Sequence, residues 1–166
     1  MAAQQANQAV IERAERLRAE HRAAERKSEM LTLVTFRLGR ETYALAAHQV
    51  RGVITRQTVV PIPSTPPHLL GITNFRGEIL PVFDLTVLLG LGTAPTAPDY
   101  LLIARPGPDT AALGCDSCPE VVQIAADEIK PPVSASAAPD ARYLRGQALV
   151  AGGMLRVLDA DQVLRY

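Results

Sequence analysis

Residues Gly71 to Leu85 read GITNFRGEILPVFDL, two apolar, strand-like pieces broken by the triplet Phe75-Arg76-Gly77. A tight reversal between two strands demands a glycine, which reaches positive φ without a Cβ clash. It does not demand an arginine. The stretch therefore predicts a β-hairpin with Gly77 at its turn, and it leaves Arg76 without a local structural duty. The bland alternative for Arg76 is a surface pair with a nearby carboxylate such as Glu78, which would contribute little to stability.

The same texture extends outward from the hairpin. LTLVTFRL (31–38) predicts a strand, GRE a turn, and TYALAAHQV (42–50) and RGVITR (51–56) further extended pieces. PIPSTPP (61–67) is a proline-stiffened connector. After HLLGITNF and the turn comes EILPVFDLTVLLG (78–90). LGTAPTAP (91–98) is a linker, DYLLIARPG, TAALGCD and EVVQI are strands, and KPPVSASAAPDA (130–141) is a loop. RYLRGQALV, GGMLRVLD and a short terminal turn finish the chain. Many short strands with little helix predict an all-β barrel or sandwich.

A weak internal repeat sharpens that expectation. Shifted by 75 positions, Gly71 falls on Gly146, Gly77 on Gly152, Leu80 on Leu155, Val82 on Val157, Asp84 on Asp159 and Leu89 on Leu164. Each copy follows a proline-containing connector. The period is too long for a solenoid, so the repeat predicts two similar small barrels in tandem. A half of about 65–70 residues is marginal alone, and the two are expected to share a core. At the position of Arg76 the second copy has Ala151, which suggests that the same turn forms without arginine and that Arg76 serves a partner. Asp84 and its counterpart Asp159 read as strand-end carboxylates that cap the turn after them.

Residues 1–30 differ from the rest. VIERAERLRAEHRAAERKSE (10–29) is rich in Ala, Glu and Arg and free of Gly and Pro, which predicts a helix. Glu12–Arg16 and Arg16–Glu20 are i,i+4 pairs. Val10, Ala14, Leu17, His21 and Ala24 form a heptad-like stripe in which only Val10 and Leu17 are large. The helix is expected to lie outside the barrels, with residues 31–166 forming the domain proper.

Composition narrows the function classes. The formal net charge of zero and the 4% aromatic content, without Trp, argue against a nucleic-acid surface. No apolar run approaches the roughly 20 residues of a membrane span, and the N-terminus lacks a signal peptide's apolar core. The expectation is a cytoplasmic protein. Cys115 and Cys118 form a CxxC pair. Zinc needs about four ligands, and His21, His48 and His68 stand at no ligand spacing from the pair. A thioredoxin-type pair should open a helix, whereas EVVQI after Pro119 reads as strand. The cysteines are therefore expected to be small buried apolar residues, with a thiol redox protein as the alternative. GLG (90–92) lacks the rest of a phosphate-loop pattern. No catalytic constellation, cofactor site or metal site is expected.

With these residues in view, the sequence resembles the CheW family, the coupling proteins of bacterial chemosensory arrays. The family's hairpin pattern, G-[VI]-x-N-L-R-G-x-[IV]-[IL]-P-[VI]-[VI]-D-L, is matched except at Phe75, which replaces Leu, and at Phe83, which replaces Val or Ile. FRLGRETYALAAHQV resembles the family's opening strands, with Gly39, Tyr43 and Val50 in place, and IKPPVSASAAPDARYLRG resembles its later segment. The resemblance implies two SH3-like five-stranded barrels around a shared core. It also implies a non-enzymatic adaptor between the cytoplasmic tip of a methyl-accepting chemoreceptor and the regulatory domain of a CheA-type histidine kinase, held at membrane-associated arrays through those partners. A coupling protein of a non-motility chemosensory pathway is a variant of the same reading. Arg76 takes the place of the family's coupling arginine; Asn74, Phe75 and Val50 join it as expected partner-binding residues, and Gly71, Gly77 and Asp84 as structural ones. Three departures stand out: Gly52 where the family often has Glu, CDSC where it has V-D-x-V, and Thr86 where Arg is frequent.

Overall fold

The computed structural model of the chain describes residues 2–55, 59–92, 97–132 and 138–165. The expected linker at 91–98 and loop at 130–141 therefore lie partly outside the described residues. Helix α1 spans Ala2–Ser28 and is followed by strands β1 (Met30–Leu38), β2 (Glu41–Ala46) and β3 (Val50–Thr55). The hairpin of the opening stretch is β4 (Leu69–Phe75) and β5 (Glu78–Asp84), followed by the one-turn helix α2 (Leu85–Leu88). Next come β6 (Tyr100–Ala104), β7 (Ala111–Cys115) and β8 (Glu120–Ala125). The chain closes with β9 (Leu144–Val150), β10 (Gly153–Leu158) and α3 (Ala160–Val163).

Within 78–90 the strand gives way to α2 at Asp84. Asp84 ends the strand, because its Oδ1 accepts hydrogen bonds from the backbone N–H groups of Thr86 at 2.8 Å and Val87 at 3.3 Å and so starts α2. Asp159 does the same for α3, accepting from Asp161 and Gln162. An N-cap carboxylate satisfies donors that a helix start leaves orphaned.

The strands form two five-stranded sheets, ordered β3-β6-β7-β5-β4 and β8-β1-β2-β10-β9. The all-β architecture, the pair of five-stranded units and the N-terminal helix are as expected. How the chain is shared between the units is new. The first unit is one continuous stretch, β3 to β7. The second takes β8 to β10 from the end of the chain and the β1–β2 hairpin from its start, joined by parallel pairing of β2 with β10 (Thr42↔Leu155 to Ala44↔Val157). The equivalent junction in the first sheet is the parallel pairing of β5 with β7. The 75-residue repeat thus covers β4, β5 and α2 against β9, β10 and α3, while β6–β7 finds its structural equivalent in β1–β2.

Alternation along the inner strands explains the common core. In β6, Leu101 and Ile103 pack inside the first unit with Phe75, Leu80, Val82 and Ala112. Their neighbours Leu102 and Ala104 point the other way, into a core between the sheets with Phe36, Tyr43, Leu45, Phe83, Leu113 and Leu158. Leu33, Ala44, Ile124, Ala148, Leu155 and Val157 fill the second unit. Strands buried on both faces carry near-continuous apolar runs, as LLIA in β6 does. A polar cluster reaches this region. Asp140 Oδ2 accepts from the Tyr43 hydroxyl at 3.0 Å and from Arg156 Nη1 at 3.3 Å. Burial, outweighing the neighbouring guanidinium, pushes the Tyr43 phenol up to about 12.

Candidate partner-binding surface

The β4–β5 turn has two central residues, Arg76 and Gly77, with φ of 53° and 88°. Positive φ at both positions is the signature of a type I′ turn, whose twist matches that of the strands it joins. Asn74 holds the turn: its Oδ1 accepts from the Gly77 N–H at 2.9 Å. The second hairpin turns differently. Its positive φ falls on Gly153, at 114°, and neither Ala151 nor Gly152 shares it. The reading of Ala151 as proof that the same turn forms without arginine is therefore corrected. The correction strengthens the case for Arg76. A left-handed conformation costs an L-residue roughly 1–2 kcal/mol, and here a bulky side chain carries that cost at an exposed tip.

The side chain of Arg76 is exposed, with its guanidinium carbon 5.1 Å from the centre of the Phe75 ring. It forms no ion pair among the described residues. The Glu78 carboxylate, its candidate partner, is taken instead by Arg51 of β3, at 3.1 Å. That pair ties the edge strand β3 to the start of β5, beside the hairpin turn. On the inner side of the same seam, a Cβ added at Gly52 would stand 3.4 Å from the Phe75 ring. Two departures from the family pattern thus meet, a larger ring at 75 lying against a glycine at 52. Phe75 itself is buried in the first unit's core, 6% exposed, which corrects its expected place on a partner surface. Its contribution outside is to support Arg76.

Antiparallel pairing places directly opposed residues on one face. Asn74 opposes Ile79, Ile72 opposes Pro81, and Val60 of the preceding connector bridges to Ile72. Together they form an outward face beside Arg76 in which Ile79 is 60% and Val60 54% exposed. The second sheet repeats this: Leu149 opposes Met154 on β9–β10, 75 positions after Asn74 and Ile79, and the two are 78% and 44% exposed. Ile79, Val60, Arg51, Leu149 and Met154 were not singled out from the sequence. Ile79 was within reach, since alternation puts it opposite in sense to the inward Leu80 and Val82.

Val50 is half-buried at the start of β3 and packs on the shared core, so it stands as a support of this surface more than a contact on it. Gly71 is required by close approach: a Cβ there would lie 2.1 Å from the Val60 carbonyl oxygen. Gly77 is required by its φ alone, since a Cβ would meet nothing within 4 Å.

The cysteines divide. Cys115 is buried in the shared core, and burial pushes its thiol up to about 12, the reverse of what a redox nucleophile needs. Cys118, expected to be buried with it, is exposed. The strand ends at Cys115, and the following turn is pulled toward the β1–β2 hairpin, with Asp116 Oδ2 accepting from the Gly39 N–H at 2.7 Å. Among the described residues no group of three or more His, Cys, Asp or Glu side chains is placed to hold a metal ion. No helix among them is long and apolar enough to cross a membrane.

The CheW-like domain family matches residues 32–166. The chain belongs to the CheW-like family. Its curated relatives include the chemotaxis protein CheW of Rhizobium meliloti, 25% identical over 79% of this chain and 85% of the relative. Another is the protein FrzA of Myxococcus xanthus, 32% identical over 78% and 82%. The crystal structure of the scaffolding protein TtCheW from Thermoanaerobacter tengcongensis superposes with a TM-score of 0.71 at 29% identity, covering 79% of this chain and 85% of that one. The CheW-like match begins inside β1 and leaves α1 outside. It includes the whole Arg76 hairpin and both outward faces.

Proposed function

We propose that this CheW-like chain is a non-enzymatic adaptor that couples a chemoreceptor's cytoplasmic tip to the regulatory domain of a CheA-type histidine kinase in the cytoplasm. In this reading residues 31–166 are the adaptor domain and residues 1–30 an extension. The observation that carries it is Arg76, held in a strained left-handed conformation at a hairpin tip, without an ion pair among the described residues, beside the exposed apolar face of Val60 and Ile79. Apolar area ringed by an arginine and polar side chains is the composition of a protein-binding surface. An arginine offers five donors in a planar fork suited to carboxylates or carbonyls on a partner. The matched face of Leu149 and Met154 supports bivalence, since an adaptor needs two separate surfaces on one rigid body. The test is co-purification and calorimetric binding of the wild-type chain to receptor tips and to the kinase regulatory domain from the same cell, against Arg76→Ala. Wild-type binding to both, lost in the variant, is the expected result; no binding to either overturns the assignment. The identity of the captured receptor decides between a motility array and another chemosensory output.

A further inference from the structure

Helix α1 has two unlike sides. Ala19, Arg22 and Ala23 line a cleft against Ala126, Asp127, Ile129 and Lys130, so this side faces the body of the protein. At about 100° per residue, Val10, Ala14, Leu17 and His21 fall on the opposite side. Val10 is 66% and Leu17 57% exposed, with Ile11 next to them at 51%. The stripe is a short heptad seam that points away from the cleft side of the helix, and its two large residues, Val10 and Leu17, are exposed.

The charges beside the seam select what covers it. Arg13 and Glu20 flank it on one side, Ile11 and Arg18 on the other. In a parallel pair of copies, Arg13 of one helix faces Arg18 of the second, and like charges meet. In an antiparallel pair centred between Glu15 and Arg16, Arg13 faces Glu20, and two-fold symmetry makes the contact twice. The same register sets Leu17 on Ala14, Val10 against His21, and the aliphatic stem of Arg18 over Ile11. A slip of one heptad either way brings Arg13 onto Arg13 or Glu20 onto Glu20. The two bodies, each on the far side of its own helix, lie on opposite flanks of the pair and do not collide.

We infer that α1 is a self-association element that pairs antiparallel with α1 of a second copy, midpoint between Glu15 and Arg16, in register with the reciprocal Arg13–Glu20 contacts. The seam holds few large side chains, so the dimer is weak and concentration-dependent, suited to assemblies in which copies are already crowded. This stands apart from the adaptor reading, because none of its residues lies in the Arg76 hairpin or on the outward sheet faces.

Sedimentation velocity of the full chain at low salt, from roughly 10 μM to about 1 mM, tests it. A reversible monomer–dimer equilibrium is expected. Leu17→Asp abolishes it. Arg13→Glu weakens it roughly fivefold, the sum of two exposed ion pairs, and Arg13→Glu with Glu20→Arg restores it to within about twofold. Circular dichroism verifies that the charge variants keep their helix, as glutamate and arginine have similar propensities. A chain that stays monomeric throughout overturns the inference. So do a dimer indifferent to Leu17→Asp, tightening by Arg13→Glu, which would mark parallel pairing, and failure of the double variant to recover.

Discussion

Replacing Arg76 with glycine removes a guanidinium and a strained backbone position in one step, and the two effects separate cleanly. At φ of 53° the native residue carries a left-handed cost of about 1–2 kcal/mol, which glycine relieves. Against this stand about 0.4–1 kcal/mol from the greater freedom glycine gives the unfolded chain and about 0.5–1 kcal/mol from the lost contact with the Phe75 ring. The three nearly cancel, and the net lies within about 1 kcal/mol of zero. For a chain of this length that is a shift in Tm of no more than roughly 2–4 °C. Arg76→Ala keeps the left-handed cost and loses the ring contact, so it melts slightly below Arg76→Gly. In binding the two variants are alike: loss of an anchoring arginine costs about 2 kcal/mol or more, a roughly thirtyfold rise in Kd for receptor tip or kinase domain. Arg76→Lys, which keeps the charge but not the fork, falls between. Thermal melts and calorimetric titrations of the three variants check this. The reasoning fails if Arg76→Gly melts far below wild type, or if it binds both partners as tightly.

Further outcomes follow from the core and the termini. Thiol titration of the native protein modifies Cys118 promptly and Cys115 only on unfolding. Because the Cys115 thiol is raised from 9.0 to about 12 by burial and the Tyr43 phenol from 10.0 to about 12, the folded state holds protons that the unfolded chain releases. Their contribution is complete below pH 9 and is lost as pH rises toward 12; urea melts between pH 8 and 11 should show that decline, shallower in Cys115→Ala, and a flat profile contradicts it. Gly71→Ala drives a methyl into the Val60 carbonyl and should cost about 2 kcal/mol or more, whereas Cys118→Ser should leave the melt unchanged. Deletion of residues 1–28 should leave a folded domain with Tm within a few degrees of wild type, since among the described residues α1 meets the body along Ala19, Arg22 and Ala23; an insoluble or molten product would place the helix in the core.

The linear chain determined the strands, the hairpin and the helix, because these follow from properties of neighbouring residues. Period-two alternation marked the strands, Gly77 beside an apolar run marked the reversal, Asp84 and Asp159 marked the strand ends, and an Ala-, Glu- and Arg-rich run marked α1. The 75-residue repeat told of two similar units and a shared core, since equal spacing of Gly, Leu, Val and Asp encodes equal packing. What the tertiary structure decided depends on residues far apart in sequence. The β1–β2 hairpin joins β10 and not its neighbour β3, because a strand buried on both faces takes whichever partner completes two cores at once. Glu78 is claimed by Arg51, 27 positions away, so among the described residues Arg76 forms no ion pair. Phe75 turns inward because it falls in step with the buried Gly71 and Thr73 of β4. Cys118 is carried outward because the turn after β7 docks on Gly39. The sign of φ at Arg76, and its shift to Gly153 in the second hairpin, rest on turn type, which strand twist and register select together and which residue identity at a single position does not reveal.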